Sequence, residues 1–169
     1  MAESERTRLR QREPQAPDGY EQLVKAQLAL RDRAFRGRIV LRGAELQWQQ
    51  TRMGRLGFYV NRAADTGSAL QQWLVFQHDI RRHSGKHTHQ GGLAIFVLEG
   101  EGYTVVNGER IDLAAGDLIL LPIMPGGCEH QHFNRYPDQP CKWIAFIYMP
   151  LQDETGFYLE QQEDAPEFR

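Results

Sequence analysis

From Arg38 onward the chain breaks into short runs of β-branched and aromatic residues, divided by Gly, Pro, Asn and Asp at roughly ten-residue intervals. The runs read "RIVLRG", "LGFYVN", "ALQQWLVFQHDI", "LAIFVLEG", "EGYTVVNG", "ERIDLAAG", "DLILLPIM", "EHQHFNR" and "KWIAFIYMP". Strands that close together in sequence, with no helix between them, must protect their edges by closing into a barrel or packing as two sheets. Asn107-Gly108 in "VVNGER" supplies the positive φ angles of a tight hairpin turn. Only "YEQLVKAQLALRDRAF", Tyr20 to Phe35, has helical spacing, with Leu23, Ala26, Gln27, Leu30 and Ala34 near one stripe. Asp18-Gly19 and Gly37 give it cap chemistry at both ends. The chain is thus read as all-β with a short N-terminal helix. Its parts are a flexible arm over residues 1–18, a helix and lead-in over 19–37, a barrel over 38–152 and an acidic tail over 153–169.

Charge and cysteine content narrow the function classes. A net charge of −2 argues against a nucleic-acid partner. Residues 1–42 carry ten Lys and Arg against six acids, while residues 150–169 carry six acids and one Arg. The two ends could meet across a dimer or simply be solvated. Cys128 and Cys141 form no CxxC pair and no disulfide framework. Without an apolar signal segment or a membrane-length apolar run, a cytoplasmic location is expected.

All six histidines lie between residues 78 and 132. Alternation along a strand turns His87 and His89 to one side, and His130 and His132 to one side as well. Two such pairs on facing strands would gather several imidazoles in one barrel interior. Polar groups buried there without partners cost about 1–3 kcal/mol or more each, so a metal or a strong hydrogen-bond network is expected.

Residues 84–134 resemble the cupin superfamily. That family's first motif is HxH, three or four residues, Glu, six residues, Gly; here His87-Thr88-His89 is followed by Leu93 and Gly100 at those positions. The second motif is matched by Gly116 and Pro122, then by Pro125-Gly126-Gly127, His130 and Asn134, with that last portion three residues late. The resemblance implies a double-stranded β-helix, or jelly-roll barrel. It also implies a metal held by His87, His89 and His130, with Leu93 in place of the family's glutamate ligand. Three protein ligands leave positions open for other molecules, as in catalytic sites. Removing the carboxylate adds a unit of positive charge, which favours an anionic ligand.

"HTHQGGLAIFVLEGEGYTVVNGER" with "GDLILLP" and "EHQHFN" is similar to the gentisate 1,2-dioxygenase branch of cupins. That branch lacks the glutamate, binds Fe(II) through three histidines and carries His-x-His-x-Asn in its second motif. The likeness implies that His130 is a ligand and His132 an acid/base beside the substrate. Those ring-cleaving enzymes usually carry two cupin repeats. One motif pair is present here, so the metal site and reaction style carry over but gentisate itself does not.

The leading expectation is a non-haem Fe(II) dioxygenase acting, with O2, on a small anionic aromatic or enolisable compound. His132 would act as proton shuttle, or alternatively fix a ligand's tautomer. Gln77, His78 and Trp143 are candidate substrate contacts; parity leaves open which of Gln77 and His78 faces inward. His83 is expected in a solvated turn, and Cys128 in a turn rather than on the His130 face. Zn, Ni or Mn in the same site would suit a lyase or isomerase. A non-enzymatic ligand-binding or sensory cupin is the third reading. A homodimer is expected, because single cupin domains generally pair.

Overall fold

The computed structural model describes residues 18–156 and 158–168. They fall into two units, one ending at Gly37 and one starting at Arg38. Of the arm expected over 1–18, all but Asp18 lies outside the described residues.

In the first unit, helix α1 spans Gly19–Arg36, one residue beyond the expected helix at each end. Asp18 caps it, its carboxylate accepting the Glu21 N–H at 2.8 Å. No α1 side chain is buried.

The second unit holds eleven strands among the described residues: β1 (Trp48–Thr51), β2 (Gly54–Val60), β3 (Trp73–Asp79), β4 (Lys86–His89), β5 (Leu93–Glu99), β6 (Glu101–Val106), β7 (Glu109–Ala114), β8 (Leu118–Leu121), β9 (Cys128–Asn134), β10 (Lys142–Tyr148) and β11 (Glu160–Glu163). A short helix α2 (Met149–Glu154) follows β10. All the strand pairs are antiparallel. They form one sheet ordered β1-β2-β3-β10-β5-β8 and another ordered β11-β4-β9-β6-β7. This is the expected jelly-roll, and the core lies between its sheets.

Alternation explains the core. Phe76 on β3, Ile95 and Val97 on β5, Ile119 and Leu121 on β8, and Trp143 and Ala145 on β10 are all buried, two residues apart along each strand. From the other sheet come Val106 and Cys128. The β6–β7 turn is the expected tight hairpin, with φ of 49° at Asn107 and 85° at Gly108.

Three strand expectations need correction. "RIVLRG" forms no strand: Arg38 makes an isolated bridge to Ser68, and Gly43–Glu45 is a 3-10 turn beside the Arg38–Glu45 ion pair. Strand β1, "WQQT", was not expected, because only Trp48 in it is a strand former. It exists by pairing with β2, where Gly57 opposite Trp48 leaves room for the indole. Strand β11 was not expected either, since "EQQE" has no apolar alternation. It is held by its pairing with β4, by Gln162 donating to Thr88 Oγ1 at 2.6 Å, and by the Arg52–Asp164 ion pair beyond it.

Candidate metal centre

Pairing register brings the histidines together. His87 on β4 lies directly opposite His130 on β9, and His89 is opposite Cys128. Their Cβ atoms share the inward face, and all three imidazoles are buried. One ring nitrogen from each of His87, His89 and His130 lies within 4.8 Å of the others. Nitrogens that share one cation at about 2.1 Å lie roughly 3.0–3.5 Å apart in tetrahedral or facial geometry, so ring rotations that close the widest gap by about an ångström would bring the three onto one ion. The ring centroids are 4.2 Å apart for His87–His130 and 4.8 Å for His89–His130.

Hydrogen bonds orient these rings. His87 Nδ1 lies 3.3 Å from the Gly85 carbonyl and His130 Nδ1 lies 3.1 Å from that of Cys128. Each donates its Nδ1–H there, which turns the Nε2 lone pair toward the shared centre. His89 is bonded the other way: its Nδ1 accepts the Gly91 N–H at 2.9 Å, which places its own proton on Nε2. For Nε2 to hold a cation as a neutral donor, that proton would move to Nδ1 and the Gly91 hydrogen bond would be given up. Gly91 is held at φ 86°, and a Cβ there would stand 1.9 Å from the Pro122 carbonyl oxygen. Only glycine fits this approach, which sets the His89 hydrogen bond.

Electrostatics keep the cluster neutral. Burial, reinforced by the neighbouring His87, pushes His89 down to about 4 and His78 to about 3. Burial lowers His87 as well, and carries His130 and His132 well below the usual imidazole value. Neutral imidazoles are the form that binds metal. The same shifts set a stability trend: the unfolded chain binds these protons near pH 6.5, while the folded chain refuses those of His89 and His78 until about pH 4 and 3, and holds those of the other three back to below the usual range. Folding is therefore most favoured above about pH 6.5 and weakens as pH falls, by up to about 1.4 kcal/mol per pH unit for each such group. The expected result is a thermal midpoint that drops steadily between pH 7 and pH 5 in chelator-treated protein. A midpoint unchanged over that range would contradict the neutral cluster.

The cluster lines a cavity of about 270 Å3 between the sheets. His78, His132 and Trp143 line it, as does Leu93, which stands where the family's glutamate would be. His78 and Trp143 are direct cross-strand partners on β3 and β10. Parity between Gln77 and His78 resolves to His78. Gln77 is absent from the cavity wall, and its amide donates to Tyr59 Oη at 2.8 Å on the opposite face of the sheet.

Two other expectations change. His83 is half-buried against Phe133 rather than in a solvated turn, and its Nδ1 lies 3.1 Å from the Gln131 amide nitrogen. Strand β9 starts at Cys128, so that thiol does share the His130 face. It is buried outside the cavity wall, and burial raises its pKa. Both cysteines are free. Asn134, in register with the second motif, is structural: its amide nitrogen reaches the carbonyls of Ile80, Arg81 and Gln139 at 2.9–3.1 Å.

Sequence reasoning missed Thr104. It lies opposite His132 across β6–β9 with no exposed surface, its hydroxyl 2.9 Å from His132 Nδ1 and 3.1 Å from the Gln131 carbonyl. A lone hydroxyl between Gly102 and Val106 on an inward-facing alternation was the available signal.

Residues 79–147 match the family model for the cupin domain. The barrel has the cupin fold. That match takes in His87, His89 and His130. A gentisate 1,2-dioxygenase from Streptomyces sp. is 33% identical over 90 residues, which are 51% of this chain and 24% of that protein. The match thus spans about a quarter of the relative's length. A variant of the salicylate 1,2-dioxygenase from Pseudoaminobacter salicylatoxidans superposes with a TM-score of 0.50 and 25% identity, covering 83% of this chain and 38% of that one. A cupin-like protein from Thermotoga maritima shares the fold, with a TM-score of 0.52, 20% identity and coverage of 77% and 92%. No helix among the described residues is long and apolar enough to cross a membrane.

Proposed function

We propose that His87, His89 and His130 hold a divalent metal, Fe(II) in first place, and that this cupin is a non-haem dioxygenase of a small chelating compound, aromatic or enolisable. The observation that carries the reading is three buried, neutral imidazoles converging on the wall of a cavity between the sheets, with Leu93 where a fourth ligand would stand. Imidazole donors suit iron, and also zinc and nickel. What the metal supplies when bound is Lewis acidity and a template for substrate and O2. Likeness to gentisate and salicylate dioxygenases supports oxygen chemistry over a lyase or isomerase.

The protein's own part is to position and to move a proton. The Thr104 hydroxyl has one hydrogen and gives it to the Gln131 carbonyl, so it accepts from His132 Nδ1–H. That leaves the Nε2 lone pair of His132 free to take a proton from a substrate hydroxyl. Trp143 holds the ring in place, edge-on at 4.4 Å between centroids. Thr104→Val removes the acceptor that selects this tautomer. Its expected effect is a fall in kcat of about 10–100-fold with metal content unchanged, and rescue by Thr104→Ser. An unaltered kcat would contradict the role.

An oxygen electrode tests the reaction class. Iron-loaded protein is given catechols, gentisate and β-diketones in air, and product is counted against oxygen. One O2 consumed per product, without added reductant, supports the dioxygenase. Product formed without oxygen uptake moves the reading to a lyase or isomerase. Two buried free thiols fit a reducing compartment such as the cytoplasm. A homodimer remains part of the proposal.

A further inference from the structure

Beyond the histidines, the cavity wall is apolar. Leu56, Phe58, Leu74, Phe76, Ile95 and Ile147 form most of it, and Asn61 is the one other polar side chain among the described residues that line it. No Lys, Arg, Asp, Glu, Ser, Thr or Tyr is among them. Nearby arginines are committed elsewhere: Arg55 pairs with Asp79, Arg62 with Asp153 and Arg52 with Asp164.

The geometry points to a substrate with one polar end and an uncharged, apolar body. This rests on the chelation reading proposed above and narrows it. Two oxygens meet the metal at the histidine end, and that end alone can neutralise negative charge. The rest of the molecule lies between aliphatic and phenyl side chains, where a carboxylate or sulfonate would be stripped of water without a partner. A cavity of about 270 Å3 suits a small molecule. The anionic character expected from the missing glutamate is thereby confined to the chelating oxygens.

Matched ligands that share one chelating head test this directly. Catechol, 4-tert-butylcatechol and 3,4-dihydroxybenzoate are titrated calorimetrically into Fe(II)-loaded protein under nitrogen, each corrected for its own affinity for free Fe(II). The expected result is that 4-tert-butylcatechol binds about 100-fold more tightly than 3,4-dihydroxybenzoate, with catechol between them. A ratio of about ten or less, or an order reversed in favour of the carboxylate, overturns the apolar-body inference and leaves the chelation reading standing. Failure of all three to bind fully loaded protein overturns the chelation reading itself, and this inference with it.

Discussion

His130→Ala weakens metal binding by more than about 100-fold, the upper range known for the loss of a mere outer-shell partner. His130 sits between the other two rings, opposite His87 in register and 4.8 Å from His89 by centroid. Removing it leaves two imidazoles and no nearby carboxylate, because the wall at that end offers Leu93 instead. Substitution also relieves the apoprotein of a buried imidazole, so the variant should fold at least as well without metal. The informative comparison is therefore metal affinity against thermal midpoint. Lost metal with an unchanged or raised apoprotein midpoint identifies a ligand. Retained metal, with an affinity within a factor of ten, would contradict the assignment.

Trp143→Ala acts on the fold instead, and is expected to cost about 3–5 kcal/mol. Its side chain is 1% exposed at the middle of the larger sheet, with His78 beside it on one strand and Val97 on the other. Its indole N–H lies 3.1 Å from Cys141 Sγ, and its ring packs edge-on to His132. Truncation removes both contacts and opens the cavity wall. A loss of that size is a large part of a typical stability of about 5–15 kcal/mol. It corresponds to a fall of roughly 6–20 °C in thermal midpoint. Trp143→Phe keeps an aromatic wall and should cost less than half as much, which gives a measurable variant if alanine does not fold. A cost below about 1 kcal/mol for alanine would show that the indole is not a core element.

Much of this architecture is written in local patterns. Strands such as β5 and β10 bury alternate residues, and the Asn-Gly hairpin needs no tertiary help, so both were legible. The histidine cluster was legible because its residues are polar on faces that ought to be apolar. What escaped reading has a common cause. Strands β1 and β11 are polar and exist only through pairing to a neighbour, which no local spacing reports. Gln77 and His78 stand among large apolar residues on both faces of β3, so alternation had no direction until Trp143 was seen opposite His78. Thr104 is an ordinary strand former whose role depends on a cross-strand partner 28 residues away. The apolar character of the cavity likewise required lining residues from four strands, and from Met53 and Leu159, to be assembled.

Metal per chain is the most direct test of the central claim. Protein expressed without a histidine tag is loaded anaerobically with Fe(II), desalted and assayed by elemental analysis beside a His87→Ala control. About one iron per chain, lost in the control, is the result expected of a three-imidazole centre. A substoichiometric value that the control shares would mean that these buried histidines serve packing and hydrogen bonding alone.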